Sequence, residues 1–524
     1  MKLVGVLLCL PLLAILPEVA TPGALAVWLD LPRLAALLAD TLLLSGLTLA
    51  FALPPAALLA VLLERTDLPG RGLCRLLLLP MMWLPAEVAA TLWQNLLTAF
   101  APGEVWVRGL LPAAWIHATI ALPWVTFLLC LGLRSVDPEV EQQGLLSLGP
   151  WGVLRRLSWP ASSPLPRLAL VLVLLQTTGE IAVSDQMNVR TFAGEVYTQF
   201  VLDRDRLGRA TLLCLPQMLL MFWLLLGVAS RLPGTIASHE CRPVLVPVRR
   251  YRRLASLGLL AIPLVLYGLP LLLLVLQAGS TRGPTTFRLG GLFDSLAGIV
   301  RTRGGVVLDS AVWSLATGLL TAGFALGIAI AARLSGARGW VAVAMLILLA
   351  VPGPVLGYGI KTLIARLIDL EESLGVSHGP LRYWLYDEPN GLPVLLAQGW
   401  RFLPLAWLIL DSAVRSIPGE VLDSATTLGA NRRVLIARAI VPTVRGSYAI
   451  AVLVVSALSI GEVAGSKMVQ IPGRETFASE VFNQLHYGVS STLSGLCLVL
   501  VLLVLGIVSI GGALRGRSGV NVPE

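Results

Sequence analysis

Residues 41–63 read TLLLSGLTLAFALPPAALLAVLL, with no charged side chain in the run. That length matches the roughly 20 apolar residues an α-helix needs to cross a bilayer core about 30 Å thick. Asp40 and Thr41 stand before it as residue types suited to cap a helix start, and the polar stretch Glu64-Arg65-Thr66-Asp67-Leu68-Pro69-Gly70-Arg71 closes it. Working outward on the same criterion, further spans are expected near 3–20, 73–99, 110–133, 165–184 and 210–230. After the polar stretch Arg231 to Arg253 come six more, near 254–277, 310–332, 340–364, 393–414, 447–466 and 492–514. The composition agrees. Of 524 residues, 56% are hydrophobic and 13% charged, and the mean hydropathy is +0.82. Soluble chains carry about 25% charged residues, so this chain lacks the polar surface to cover several globular domains. The fold class expected is an all-α polytopic membrane protein with about twelve transmembrane helices.

The formal charge of +9 is almost entirely arginine, with Lys2, Lys361 and Lys467 the only lysines. A nucleic-acid binder gathers such charge on a soluble face beside stacking aromatics, whereas these arginines sit in short loops between apolar runs. No nucleic-acid partner is expected; membrane lipid is. With a cytoplasmic N-terminus, the loops 64–72, 134–164, 231–253, 333–339 and 415–446 and the tail after 514 all fall inside. They hold Arg155, Arg156, Arg432, Arg433, Arg438, Arg515 and Arg517, as the positive-inside rule requires. The outer loops carry acids such as Asp369, Glu371, Glu372, Asp387 and Glu388, with Arg301 and Arg303 as exceptions. Both termini are then cytoplasmic, in an inner (plasma) membrane. Leu3 to Leu16 followed by Ala24-Leu25-Ala26 also fits a cleaved signal peptide; a retained first span is the preferred reading, because a matching helix opens the second half.

Cys9, Cys74, Cys130, Cys214, Cys241 and Cys497 show no CxxC spacing, and His117, His239, His378 and His486 are scattered, so neither a disulfide framework nor a metal site is expected. Gly323 and Gly327 form a GxxxG read as helix packing.

The two halves echo each other. Asp40-Thr41 and Asp309-Ser310 are separated by 269 positions, Pro160 and Pro442 by 282, and Gly179-Glu180 and Gly461-Glu462 also by 282. Thr191-Phe192 with Glu195 returns 285 positions later as Thr476-Phe477 with Glu480. Two six-span units follow, 1–231 and 254–524, joined by a linker at 232–253. An even number of spans per unit makes the repeats parallel.

The loop 415–446 contains Glu420-Val421-Leu422-Asp423-Ser424-Ala425-Thr426-Thr427-Leu428-Gly429, and Pro442 follows thirteen residues after the glycine. Val421, Ala425 and Leu428 share one face of a short helix, which Gly429 can end. A helix of this kind outside the bilayer has an apolar stripe to bury, and a partner protein is the natural cover. The pattern resembles the EAA loop of ATP-binding-cassette importer permeases, with Asp423, Ser424, Ala425, Gly429 and Pro442 in the motif positions. Counting back from Pro160 in the loop 134–164 puts Glu141, Gln142 and Gln143 there, with Ser147 in the glycine position and Gly149 two residues on. Fusion of two units is similar to the ferric-iron and thiamine importers, and the 64–71 stretch looks like that family's loop between spans two and three.

The resemblance implies that each loop couples to one subunit of an ATPase dimer, and that an extracytoplasmic solute-binding protein delivers a small solute such as iron(III) or thiamine. No GxxxxGK[ST] occurs, so ATP and magnesium belong to the partner and this chain is a transport subunit without its own catalysis or cofactor. Glu180 and Glu462, late in the fifth span of each unit, are read either as water-contacting helix-end acids or as a symmetric pair lining the outer vestibule and favouring a cationic or metal-bearing solute. An ion-coupled secondary transporter, which predicts charge pairs within the membrane, is the alternative; a membrane-anchored assembly factor predicts no repeated polar loops. Asp205-Arg206-Leu207-Gly208-Arg209 looks like the DRxGR loop of major facilitator transporters, but lies between spans five and six rather than two and three and is read as a chance match.

Overall fold

The computed structural model describes residues 2–20, 30–101, 103–162, 164–202, 207–231, 252–280, 286–376, 379–485 and 491–517. Most of the linker 232–253, the segment Ala24-Leu25-Ala26, Asp205, Arg206, Cys241, His239, His378 and His486 lie outside the described residues. Among those described, all regular structure is helical, apart from one isolated bridge between Ser280 and Phe287.

Among the described residues, six helices are long and apolar enough to cross a membrane: Leu31–Glu64, Leu110–Arg134, Arg252–Ala278, Leu289–Ser335, Leu392–Arg415 and Arg432–Ile460. Counting each of three bent helix pairs as one span raises the number to nine. Leu10–Val19, Leu215–Ala229 and Ser491–Ile507 are shorter apolar helices. The chain is thus an all-α polytopic membrane protein.

Two of the expected straight spans are broken. In place of 73–99, Arg71–Met81 and Ala86–Phe100 meet at 108°, and in place of 340–364, Arg338–Ala350 and Gly353–Ser373 meet at 110°. Proline explains both breaks. It disfavours helical backbone in the residue before it, and Val351, before Pro352, is extended at φ −79°, ψ 127°. Pro85 and Pro352 then begin new helices with nearly the same geometry, φ −61°, ψ 146° and φ −60°, ψ 147°.

The halves interlock. Leu10–Val19 lies against Gly353–Ser373, where a Cβ on Gly359 would come within 2.5 Å of the Pro11 carbonyl oxygen. Trp400 donates from Nε1 to the Leu8 carbonyl at 3.0 Å. Conversely, the first helix of the second half packs on the first half, with the Tyr267 hydroxyl donating to the Thr119 carbonyl at 2.7 Å. Leu8 and Ile15 are buried in a core otherwise built largely from residues after 320.

Gly323 and Gly327 do not make the tight helix crossing expected of a GxxxG. The Tyr448 hydroxyl, 3.8 Å away, is the nearest atom a Cβ on Gly323 would meet, and Gly327 has open space. Gly318, five residues before Gly323, is the close approach: a Cβ there would lie 2.1 Å from Ser456 Oγ and 2.6 Å from the Val452 carbonyl oxygen. The described cysteines are unbridged, with Cys74, Cys130, Cys214 and Cys497 buried, and no cluster of three or more potential metal ligands occurs among the described residues.

Candidate functional site

Several residue pairs singled out in the repeat meet one another in both halves. The backbone N–H of Phe192 donates to Thr41 Oγ1 at 3.4 Å, and that of Phe477 donates to Ser310 Oγ at 2.8 Å. Arg33 is paired with Glu195, and Arg303 with Glu480. The two arginines that break the loop charge pattern least comfortably are therefore accounted for in part, since Arg303 has its own carboxylate.

The loop 134–164 begins with Asp137, whose side chain accepts from the Glu139 N–H at 2.8 Å and caps the helix Pro138–Val153. Glu141 does not face outward. It is fully buried, and its Oε1 accepts from Arg65 Nε at 3.1 Å and Ser158 Oγ at 2.5 Å. Arg65 also donates to the Leu133 carbonyl at 2.5 Å, while neighbouring Glu64 receives Arg75 at 3.1 Å and Arg134 at 2.9 Å. The 64–71 stretch therefore anchors the first loop through a buried charge network. Gly144 allows the loop to fold on itself, because a Cβ would fall 2.4 Å from Leu157 Cδ1. Gln142, Gln143, Ser147 and Pro160 are exposed.

The helix in this loop breaks at Gly149, not at Ser147. Gly149 has φ 67°, ψ 172° and breaks the helix, whereas Ser147 stays helical with its hydroxyl directed at the Gly144 carbonyl. A left-handed φ favours glycine because a Cβ there crowds the backbone. Leu146 and Trp151, flanking this break, are 92% and 69% exposed and form an uncovered apolar tip.

In the loop 415–446, the helix Gly419–Thr427 has no buried residue. Asp423 and Ser424 are exposed, and Ala425 is half-buried. Gly429, at φ 84°, ends the helix, and the Ala430 N–H returns to the Ala425 carbonyl at 3.0 Å. Val421 and Leu428 are 49% and 88% exposed, so the apolar stripe read from the sequence is uncovered. Arg333 donates to the carbonyls of Arg415 and Ile417 at 3.1 and 2.9 Å, much as Arg65 reaches Leu133. Its counterpart acid, Asp423, stays on the surface. Both loops then pass through a π turn, Leu154–Ser158 or Leu435–Ile440, just ahead of Pro160 or Pro442. Proline has no N–H and crowds the carbonyl four residues back, and a widened turn absorbs both defects.

Glu180 and Glu462 are handled alike in one respect. Glu180 accepts from the backbone N–H groups of Ala182 and, at 2.9 Å, Val183. Glu462 accepts from Gly465 N–H at 2.7 Å, Ser466 N–H at 2.9 Å and the Ser466 hydroxyl at 2.5 Å. Each carboxylate thus closes the short turn after its span. Their further neighbours differ: His117 Nε2 lies 3.8 Å from Glu180, and Arg401 Nε lies 3.6 Å from Glu462.

A cavity of about 330 Å³ lies where the halves meet, lined by both proline breaks, by Glu180 and Gln217 from the first half, and by Arg401 and Gly461 from the second. Gly461 permits this junction, since a Cβ would stand 2.9 Å from Pro85. Arg401 and the buried Glu87, in the first turn of Ala86–Phe100, are charged residues within the bundle that the sequence reading passed over. A single charge in a long apolar run was the available signal.

These features define a helical membrane protein with a largely apolar cavity between its halves that carries a few polar and charged groups, and with two loop helices that expose apolar side chains. No family model matches the chain. A stretch of 159 residues is 28% identical to the putative ferric transport system permease protein FbpB 1 of Haemophilus influenzae, covering 29% of this chain and 24% of that protein. A stretch of the same length, 159 residues, is 29% identical to the ferric transport system permease protein FbpB of Actinobacillus pleuropneumoniae, covering 29% of this chain and 23% of the relative. The chain spans about a quarter of the length of the curated relatives it matches.

Proposed function

We propose that the chain is the membrane permease subunit of an ATP-binding-cassette importer for iron(III) or another small solute. In this reading two fused six-span units, 1–231 and 254–524, flank the central cavity, and the segment from Leu3 is a retained span. An ATPase dimer docks on the loops 134–164 and 415–446 at the cytoplasmic face, where both termini also lie. A solute-binding protein delivers from the other side, and Glu180 and Glu462 belong to the solute pathway. ATP and magnesium act on the partner.

The observation that carries this reading is the pair of exposed loop helices. Each ends at a left-handed glycine, Gly149 or Gly429, leaves large apolar side chains uncovered, and runs through a π turn into its proline. Lipid or solvent gives no reason for two such matched surfaces, whereas two identical ATPase subunits do. The two relatives, both named as ferric transport permeases, support the same class and the iron candidate. The matched contacts Thr41 with Phe192 and Ser310 with Phe477 support the repeat.

A second reading, an ion-coupled secondary transporter, is favoured by one feature: the Arg401–Glu462 pair inside the bundle. Co-purification separates the two. A P-loop ATPase co-expressed with the full chain is expected to copurify at two ATPases per chain and to lose affinity when Leu428→Asp and Leu146→Asp are combined. An ATPase that never copurifies would overturn the importer reading.

A further inference from the structure

The central cavity contains polar groups whose hydrogen-bonding capacity the fold leaves unspent. Arg401 lies nine residues into the helix Leu392–Arg415, about 14 Å along its axis at 1.5 Å per residue. An arginine at such depth costs roughly 2.5 to 3.5 kcal/mol on insertion scales, so it marks a functional site by default. Its contact with Glu462 is long, at 3.6 Å, and no shorter polar contact to its guanidinium is recorded among the described residues. Glu462 is already satisfied by Gly465 and Ser466. Most of the guanidinium fork is therefore available to the cavity it lines.

Two further observations point to the same ligand chemistry. Room for the fork comes from Gly353, where a Cβ would lie 2.6 Å from Arg401 Nη1. Gly353 opens the 21-residue helix Gly353–Ser373, so a cation stands beside the positive end of a helix dipole. Glu462, 3.6 Å from Arg401, offsets part of this positive charge, and a further anion would be favoured beside the guanidinium and the helix start. In addition, Trp83 Nε1 is shut off from solvent with no acceptor among the described residues. Gln217, 4% exposed, donates to the Thr178 carbonyl at 2.9 Å and leaves its Oε1 without a donor. Both residues line the cavity.

We infer that the cavity binds a small oxyanion, a carboxylate or phosphate that also carries a hydroxyl. Arg401 grips the oxyanion through its fork, the geometry that planar guanidinium offers. Trp83 Nε1 and Gln217 Oε1, which have no accessible surface in this fold, add a donor and an acceptor once their side chains turn toward the ligand. Glu180 lines the same space, but its carboxylate is committed to Ala182 and Val183. A metal cation would enter as its complex with such an oxyanion, which reconciles the cavity with a metal-bearing solute. The inference rests on the cavity being the solute path, but it is tested without an ATPase, so its failure is distinct from failure of the importer reading.

The test uses the purified full chain in detergent, with citrate and inorganic phosphate as probes, choline chloride as the cation control, and calorimetry with tryptophan fluorescence as readouts. Saturable binding of citrate or phosphate is expected, and whichever binds identifies the carboxylate or the phosphate source. Arg401→Gln should weaken it at least tenfold, and Arg401→Lys, which keeps the charge but not the fork, by less. Glu462→Gln should tighten binding, because it removes the carboxylate that competes for the guanidinium. A folded Arg401→Gln chain that binds as the wild type does, binding of choline alone, or equal loss in Glu462→Gln and Arg401→Gln would overturn the inference; the last would make the pair merely structural.

Discussion

Arg65→Met tests how the first loop is held. Arg65 is 1% exposed and Glu141 is completely buried. Removing the guanidinium leaves Glu141 with Ser158 as its remaining recorded partner and strips a donor from the Leu133 carbonyl. Breaking a buried pair from one side typically costs about 3–5 kcal/mol, because an uncompensated charge stays inside. The matching change in the second half, Arg333→Met, removes two hydrogen bonds to carbonyls from a partly exposed guanidinium, where water can replace them and each is worth about 0.5–1.5 kcal/mol rather than the larger value of a buried charged donor. The first change should therefore be the more destabilising, by about 2 kcal/mol between the midpoints of these ranges. Replacing both partners, Arg65→Met with Glu141→Leu, should recover most of the loss, since an apolar pair of similar volume avoids the desolvation penalty. Thermal unfolding in detergent measures the order, and limited proteolysis at 134–164 reports whether the loop loosens locally. Equal costs for Arg65→Met and Arg333→Met, or a double change as damaging as the sum of its singles, would refute the reasoning.

Three further outcomes are expected. Gly429→Val forces a β-branched residue to φ 84°, which costs about 1–2 kcal/mol locally; it should reduce ATPase co-purification while leaving the melting temperature of the spans nearly unchanged, and Gly149→Val should act likewise whereas Ser147→Val should not. Glu180→Gln combined with Glu462→Gln should reduce solute uptake more than either alone with the ATPase still bound, and unchanged uptake in the double variant would leave both acids as turn closures only. Gly318→Leu should be far more disruptive than Gly327→Leu in a thermal melt, because only the former meets Ser456 and the Val452 carbonyl.

Much of the architecture was legible because hydropathy is a local signal. The span expected at 110–133 is Leu110–Arg134, and that at 393–414 is Leu392–Arg415. Bends were missed where a hydropathy window averaged across a proline: Pro352 sits inside an uninterrupted apolar run and Pro85 in one broken only by Glu87, so composition looked nearly continuous while the backbone turned by more than 100°. The loop helix 419–427 and its glycine stop were readable from spacing and the left-handed preference of glycine. Gly149 was noted but assigned second place, because counting back from Pro160 assumes equal loop lengths. Glu141 could not be read as buried, since its partner Arg65 is 76 positions away and burial is decided by tertiary packing. Arg401 was passed over for a related reason: whether a lone arginine in a span meets lipid, a partner or a cavity depends on helices far away in sequence. The GxxxG pattern misled because close approach depends on the facing helix, and Ser456 faces Gly318 instead.

Uptake of radioactive iron(III), supplied with its binding protein, into inside-facing liposomes containing the full chain and a co-purified P-loop ATPase tests the central claim most directly. The account predicts uptake that requires luminal ATP, the ATPase and the binding protein together, and that persists when proton and sodium gradients are collapsed. Uptake driven by an ion gradient with neither ATP nor the ATPase present would contradict it.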